Sequence, residues 1–205
     1  MNKALMHALA ACGIALACAT TVHGETSLDP SAEKVVKAGF AEASPEWQAR
    51  LTQDQVQALC SKSHNNLPSE VAKKLEKAQL ATIVYPTSGK LLGDWREGEK
   101  IAQEGRGLQF SDKPDGPVGG NCYACHQLSQ KEIAYGTLGP SLYHYGKLRG
   151  NSEGVVKYTY GKIYNSEAYS ACSNMPRFGH NKILNEQQIK DLVALLLDPD
   201  SPINK

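Results

Sequence analysis

The chemically most informative feature of this sequence is a pair of cysteines followed at once by a histidine. Cys122 and Cys125 are separated by two residues, and His126 comes next. Two thiols at this spacing can form thioethers to the vinyl groups of one haem, while the imidazole binds the iron. The pattern therefore predicts one covalently attached haem c. The alternative is a chance pair that forms a disulfide or half of a zinc site, but no second Cys or His pair completes a tetrahedral set.

A methionine among turn-forming residues is the predicted ligand on the opposite face of the iron. Met175 lies in the segment Ser-Asn-Met-Pro-Arg-Phe-Gly, residues 173–179, and is the only methionine after residue 6. Its thioether sulfur suits a low-spin haem that transfers electrons. The competing interpretation is a core methionine that fills a gap, although such a residue is more typical of a periodic helix. Four other side chains remain rival ligands: His64, His144, His180 and Cys172.

The first residues of the chain have the pattern of an export signal. A short basic start precedes an apolar, alanine-rich run from Ala4 to Ala19. Such a run is too short to span a bilayer comfortably, so we expect a cleaved signal peptide and no stable membrane insertion. Cleavage after Ala19 or Gly24 would leave a periplasmic protein, with residues 1–24 as the leader. Two alternatives stay open, namely an uncleaved membrane anchor and a lipoprotein modified at Cys18.

The charge balance argues against a nucleic-acid partner. The leader carries one lysine and no acidic residue, so the mature chain has 21 basic and 21 acidic residues. Binding to phosphates needs a concentrated positive surface, and no basic run is present. The sequence also has no evident internal repeat or low-complexity tract, which predicts one compact domain with an elaborated terminus.

Capping signals and apolar spacing predict a helical frame around these residues. Asp94 opens a segment with capping-box spacing, which predicts a helix through Glu104 with Gly98 as a point of close contact. Asn185 similarly caps the last helix, which Pro199 ends. Apolar residues recur along that helix at helical spacing and form one stripe: Ile189, Leu192, Val193 and Leu196.

Other segments carry weaker helix signals. Residues 152–165 are ambiguous between helix and strand by composition, and we assign them to a helix because a haem domain needs one. Upstream, Thr52 is predicted to cap a short helix that ends near Cys60. A second short helix is predicted from Ser69 through Ala81, so the part of the chain before residue 94 is expected to be helical.

Together these motifs resemble the class I cytochrome c domain over about residues 94–198. The resemblance rests on Gly98, the Cys-x-x-Cys-His run, a Gly-Pro-x-Leu loop, a Met-Pro-x-Phe-Gly loop and the capped last helix. Within that class the chain resembles SoxX, the small haem subunit of the SoxAX thiosulfate-oxidising cytochrome. The matching segments are Gly-Gly-Asn-Cys-Tyr-Ala-Cys-His-Gln-Leu at 119–128 and Tyr-Gly-Thr-Leu-Gly-Pro-Ser-Leu at 135–142, with a further match at 93–102.

The resemblance implies an all-α protein with the class I cytochrome c fold in residues 94–205. Residues 25–93 are then an N-terminal helical extension packed on the haem domain. The Gly-Pro-x-Leu loop is expected to lie beneath His126, so that the Pro140 carbonyl accepts the imidazole N–H and orients the ring. An ordinary turn is the alternative for that segment.

The two remaining cysteines predict a link between the extension and the loop that holds Met175, called the methionine loop below (residues 171–179). Cys60 and Cys172 are left over once the leader and the haem pair are accounted for. In an oxidising compartment such a pair most simply forms a disulfide. Two free buried thiols are the alternative.

The resemblance also implies a role and partners. A SoxA-type haem subunit would form a heterodimer with this chain and couple thiosulfate to a cysteine of a carrier protein. This chain would accept the released electrons and pass them to a soluble cytochrome c, and it would contain no catalytic residue itself. Two further hypotheses remain: a freestanding periplasmic electron carrier, and a haem enzyme or sensor in which Met175 is displaceable.

Overall fold

Helices form all the regular secondary structure in the part of the chain that the structure describes. The computed structural model describes residues 30–205 apart from Phe110 and Pro114, so the predicted leader and Cys18 lie outside the described residues. In chain order the α-helices are α1 Pro30–Gly39, α2 Pro45–Arg50, α3 Gln55–Lys62, α4 Ser69–Leu80, α5 Trp95–Gln103, α6 Tyr145–Arg149, α7 Glu153–Tyr164 and α8 Glu186–Leu197. Short 3₁₀ turns occur at Cys122–Ala124, Ser166–Ala168 and Pro202–Asn204. The predicted all-α fold is confirmed.

The crossing of α5 and α8 is the centre of the fold. Gly98 of α5 is buried against the backbone of Asp191 in α8. A β-carbon at this position would lie 2.7 Å from the Asp191 carbonyl carbon and 2.9 Å from the Leu195 β-carbon. These distances are shorter than ordinary carbon–carbon contacts, so the two helices approach this closely only because residue 98 has no side chain. The predicted crossing point at Gly98 is confirmed.

The last helix is the most deeply buried element. Its predicted cap is confirmed: the Asn185 side chain accepts the backbone N–H of Gln188, and the Gln188 side chain accepts the N–H of Asn185. The exchange satisfies two of the amides that a helix start leaves without partners. The apolar stripe faces the core, and all four predicted residues, Ile189, Leu192, Val193 and Leu196, are buried.

The start of α5 is anchored differently from the prediction. Asp94 caps the helix, but its carboxylate accepts the N–H of Arg96 rather than that of Glu97. Glu97 pairs instead with Lys100 on the exposed face of the helix. The Asp94 amide donates to Asp191 Oδ1 at 2.8 Å, which ties the beginning of α5 to α8. The predicted helix is therefore correct and the predicted capping box is not.

The extension contains more helix than the sequence predicted. The predicted helices correspond to α3 and α4, but α3 is capped by Asp54 in a box with Gln57, and not by Thr52. The structure adds α1 and α2, which the sequence analysis missed. The side chains described in α1 are exposed and α2 buries none of its residues, so neither helix carries a strong core-facing stripe.

The extension contacts the second half of the chain through α4 and the segment that follows it. The amide nitrogen of Asn165, which is fully buried, donates to the Gln79 and Thr82 side chains at 3.0 and 2.9 Å. Tyr160 of α7 donates its hydroxyl to the carbonyl oxygen of Val84 at 3.3 Å. These part-buried polar contacts fix α4 against the end of α7, at the point where the methionine loop begins.

Candidate haem site

The Cys-x-x-Cys-His sequence forms one tight turn. The Cys122 carbonyl oxygen accepts the backbone N–H of Cys125 at 3.1 Å and that of His126 at 2.9 Å. Cys122 and Cys125 are free thiols, and each is partly buried. The turn therefore presents two thiols and an imidazole within five residues, which is the arrangement that two thioethers and one iron ligand on a single haem need.

The Gly-Pro-x-Leu loop runs alongside this turn. Three backbone hydrogen bonds of 2.7–2.8 Å join them: Gly136 N–H to Tyr123 O, Gly139 N–H to Cys125 O and Leu142 N–H to Gln127 O. Consecutive bonds of this kind leave the loop little freedom to shift along the turn. They hold the carbonyl group of Pro140 at a fixed place relative to His126.

The imidazole of His126 is oriented by that carbonyl. Its Nδ1 donates to the Pro140 oxygen at 2.7 Å. Since a carbonyl only accepts, the proton is on Nδ1 and the lone pair of Nε2 is available to a metal. A β-carbon on Gly139 would lie 2.5 Å from Nδ1 and 2.7 Å from Nε2, so only glycine leaves room for the ring. The ring is thus fixed in its plane and in its tautomer.

The Cys122 thiol suits thioether formation better than ionic metal binding. Burial raises the pKa of the Cys122 thiol to about 12, although the residue keeps part of its surface exposed. A thiol with so high a pKa stays protonated at neutral pH, whereas metal binding requires the thiolate. A thioether carries no charge and tolerates the same surroundings. The donor set therefore fits a covalently bound haem c.

Met175 lies in a loop that two local hydrogen bonds shape. The residue is partly buried and packs against the core. Its carbonyl oxygen accepts the Ser166 hydroxyl at 2.5 Å, and its N–H donates to the Ser173 hydroxyl at 3.2 Å. Further along, the N–H groups of Gly179 and His180 both donate to the Tyr164 carbonyl oxygen at 3.0 Å. The loop is consequently fastened to the end of α7 and to the 3₁₀ turn that follows it.

The rival ligands occupy other positions. His144 stacks on Tyr143, with ring centroids 3.7 Å apart, and its Nε2 bonds to the Lys205 carbonyl oxygen at 2.8 Å. His64 is exposed, and burial together with the nearby positive charge of Arg177 lowers the pKa of His180. Cys172 has no free thiol, since its sulfur is bonded to that of Cys60. These contacts engage the side chains of His144 and Cys172, whereas the lowered pKa of His180 keeps its imidazole neutral and does not argue against ligation.

Two residues near Met175 had no signal in the sequence. Glu167 is buried, and its carboxylate accepts the N–H of Cys172 at 2.6 Å. Burial raises the pKa of this carboxyl group, against the effect of its hydrogen bonds and of Arg177. Arg177 is also buried and forms an ion pair with Asp54 at the start of α3. Arg177 stands within the Met-Pro-x-Phe-Gly motif, but nothing in that motif indicates its partner.

Three other features of the described residues concern binding and membranes. An open depression of about 490 Å³ borders the haem-binding turn, but none of Cys122, Cys125, His126 and Met175 lines it. Among residues 30–205, without the two omitted positions, acidic, Cys and His side chains form no cluster of three or more that could hold a metal ion. Within that same range no helix has the length and apolar character needed to cross a membrane.

Comparison with known proteins identifies the family. The family model described as Cytochrome c matches residues 96–198, about half of the chain. The chain belongs to the cytochrome c family. This cytochrome c is also 40% identical over 179 residues to a protein of Aquifex aeolicus (strain VF5), which is named "Uncharacterized lipoprotein". The match covers 85% of this chain and 84% of the relative, so it includes most of the extension as well as the family domain.

Family membership fixes the cofactor and the general role. Proteins of this family bind haem c covalently and transfer electrons. The all-helical structure, with its helices α5 and α8 crossing beside the Cys-x-x-Cys-His turn, is that of a class I cytochrome c. Electron transfer through one covalently bound haem is therefore the function that the site must support.

Proposed function

We propose that Cys122 and Cys125 hold the haem by thioethers and that His126 and Met175 are the axial ligands of its iron. The observation that carries this proposal is the hydrogen bond from His126 to the Pro140 carbonyl, in a space that only Gly139 leaves open. When bound, the haem supplies a one-electron iron couple. Pro140 orients the imidazole and strengthens it as a donor.

The second axial position determines what chemistry the site can perform. As a ligand, the Met175 thioether would raise the reduction potential relative to a second imidazole. With His126 and Met175 both holding the iron, no position would be left for a substrate. These residues therefore favour electron transfer over chemistry at the iron.

Absorption spectra of the purified protein test this ligand set. We expect a weak near-infrared Met-to-iron band in the oxidised protein and its loss in Met175→Ala. His64→Ala, which changes an exposed rival ligand, is the matched control and should keep the band. If the band survived Met175→Ala or were absent from the unmodified protein, the proposed axial ligand would be wrong.

We further propose that this cytochrome c is the electron-relaying subunit of a SoxAX-type complex. The support comes from the segments at 119–128 and 135–142 that resemble SoxX, and from the helical extension in front of the family domain. The complex would act as an L-cysteine S-thiosulfotransferase, in which a SoxA-type haem subunit couples thiosulfate to a carrier-protein cysteine. This chain alone would transfer electrons from that partner to a soluble cytochrome c.

The alternative is a freestanding electron carrier, and purification from native cells distinguishes the two. Under the SoxAX proposal a second chain with covalent haem copurifies with this cytochrome c at equal stoichiometry. A protein that runs alone but keeps the near-infrared band would indicate a freestanding carrier. Rapid binding of carbon monoxide by the reduced protein would instead favour a haem sensor or enzyme with a displaceable Met175.

The proposed location is outside the cytoplasm. The leader pattern in residues 1–24 and the chemistry of covalent haem attachment support export to the periplasm. The name of the Aquifex relative, "Uncharacterized lipoprotein", instead supports a lipid anchor on Cys18. Mass spectrometry of the mature amino terminus decides between them: a free terminus after Ala19 or Gly24 supports a soluble periplasmic chain, and a diacylglyceryl group on Cys18 supports the anchor.

A further inference from the structure

The extension contacts the methionine loop on both sides of Met175. On one side Cys172, three residues earlier, is bonded covalently to Cys60 of α3, with their Cα atoms 5.4 Å apart. On the other side Arg177, two residues later, pairs with Asp54 at the start of the same helix. Both contacts join positions more than 110 residues apart in the sequence. The helix α3 therefore holds the two ends of a six-residue span, residues 172–177, whose interior contains the proposed iron ligand.

The covalent contact fixes an unfavourable backbone conformation. Cys172 has φ of 58°, in the left-handed region that residues with a side chain rarely adopt. Its N–H is held by the buried Glu167 carboxylate and its side chain by Cys60. A lone residue in this region is strained, and it persists where surrounding contacts determine it. Without these two contacts, we expect the backbone at Cys172 to relax and the path of the loop to change.

The ion pair between Arg177 and Asp54 places a buried positive charge two residues after Met175, the proposed iron ligand. The Arg177 side chain is 7% exposed, whereas that of Asp54 is 43% exposed. A buried guanidinium needs a partner, because an unpaired charge away from water is costly. Asp54 also caps α3 through Gln57, so one carboxylate joins the helix start to the loop. The position of α3 and the position of Arg177 are coupled in this way.

A third contact comes from α4. The Glu76 carboxylate accepts the N–H of Ala171 at 3.0 Å, just before Cys172. Asn165, at the start of the loop segment, is held by Gln79 and Thr82. Local contacts are the two serine hydrogen bonds to the Met175 backbone and the bond from the Cys172 N–H to the Glu167 carboxylate. The long-range covalent and polar contacts of residues 171–177 described above therefore come from the extension.

We propose that α3 and α4 are a positioning clamp for the axial ligand, made by Asp54, Cys60 and Glu76. The clamp keeps the thioether of Met175 at the iron by disfavouring arrangements of residues 171–177 in which the sulfur is displaced. Its members are positioning residues, since their contacts are with the loop and they act on the iron ligand through it. The inference rests on the proposed ligation by Met175 and gives the extension a function inside this chain, separate from docking to a partner.

The clamp makes a measurable difference to the competition between Met175 and an added ligand. Imidazole binds oxidised iron only when the methionine leaves, so its apparent association constant is the intrinsic one multiplied by the fraction of loops that are open. Loss of a clamp contact raises the open fraction and therefore the apparent affinity. A tenfold change in affinity corresponds to about 1.4 kcal/mol of loop closure.

Two variants of the full-length holoprotein test the proposal. Asp54→Asn removes the charge opposite Arg177 and keeps a side chain that caps helices well. Cys60→Ser/Cys172→Ser removes the covalent contact. We expect the imidazole association constant of the oxidised protein to rise roughly fivefold in the first and roughly tenfold or more in the second, with a weaker near-infrared band at equal haem content.

Two control variants separate positioning from general destabilisation. Glu70→Gln breaks an exposed ion pair with Lys73 on α4 and leaves the clamp in place. Asn185→Ala removes the cap of α8 and lowers global stability without changing a contact of the loop. Both should bind imidazole as the unmodified protein does. If Asn185→Ala increased imidazole affinity as much as the clamp variants, the effect would be general loss of stability and the clamp would be refuted.

Hydrogen exchange adds a readout that does not depend on the iron. In Asp54→Asn the backbone amides of residues 171–179 should exchange faster, while those of α8 keep their protection. Unchanged imidazole affinity and unchanged loop exchange in both clamp variants, with the near-infrared band intact in the unmodified protein, would overturn the clamp alone. Absence of the band from the unmodified protein would refute Met175 ligation, and the inference with it.

Discussion

Replacing Gly98 by alanine tests how closely α5 and α8 must approach. The new β-carbon would lie 2.7 Å from the Asp191 carbonyl carbon. Carbon–carbon contacts are favourable from about 3.5 Å, so the axes must separate by about 0.8 Å or the side chain must strain. Because the obstacle is backbone, a rotamer change cannot relieve it.

The expected cost follows from two opposing effects. Alanine is favoured over glycine by about 1 kcal/mol in a helix interior. Overpacking of a tight core typically costs about 1–3 kcal/mol, and a clash with backbone belongs at the upper end of that range. The net loss is about 2 kcal/mol, which lowers the melting temperature by roughly 4–8 °C for a chain of this size.

Gly154 offers a matched control. It lies in the first turn of α7, and a β-carbon there would meet nothing within 4 Å. Gly154→Ala should therefore leave stability unchanged or raise it by up to about 1 kcal/mol. Urea unfolding of the oxidised holoproteins, followed by helical circular dichroism, measures both variants. If Gly98→Ala proved as stable as Gly154→Ala, the argument for an obligatory close crossing would be refuted.

Three further predictions concern the site and its supports. Gly139→Ala should displace the His126 ring and lower the yield of low-spin holoprotein, as judged by the absorption spectrum at equal total protein; a normal yield would contradict the packing argument. Burial raises the pKa of Asp54, but its hydrogen bonds and the charge of Arg177 outweigh that effect and hold the pKa below its ordinary value of 3.8. The ionised Asp54 therefore stabilises the folded protein above about pH 4. This stabilisation is lost as the pH falls through the lowered pKa. The stability difference between the unmodified protein and Asp54→Asn should accordingly shrink on acidification in urea titrations, and a constant difference would count against the pairing. Asn185→Ala should cost about 1 kcal/mol in the same assay, and Asn185→Asp should recover most of it.

The sequence predicted the elements whose signals are local. The N-cap of α8 and its apolar stripe lie within a few residues of one another, and so do the two thiols and the imidazole of the haem turn. Hydrogen bonding and helical periodicity act over that same range, which is why these predictions agree with the structure. The short α6 was missed because it begins after His144, whose positive φ no local pattern marks.

The environment of Met175 could not be predicted from such signals. Arg177 and Asp54 are 123 residues apart, and Glu76 and Ala171 are 95 apart. A contact at this separation depends on how whole helices pack, and neither composition nor spacing records it. The leftover cysteines were an exception, because thiols in an oxidising compartment have few possible partners.

The link between Cys60 and Cys172 also has a consequence for biogenesis. As the chain emerges amino terminus first, the first thiols to reach Cys60 are those of Cys122 and Cys125, roughly half as far along the sequence. Chain entropy favours the shorter closure by about 0.6 kcal/mol per halving of the loop, so in an unstructured chain a bridge from Cys60 to a haem cysteine, or one between Cys122 and Cys125, competes with the native bridge. Such a bridge would consume a sulfur that must bond to haem. Maturation of this cytochrome c should therefore require thiol reduction and haem ligation before the final oxidation, and strains that lack a disulfide reductase should accumulate a haem-free, misbridged form.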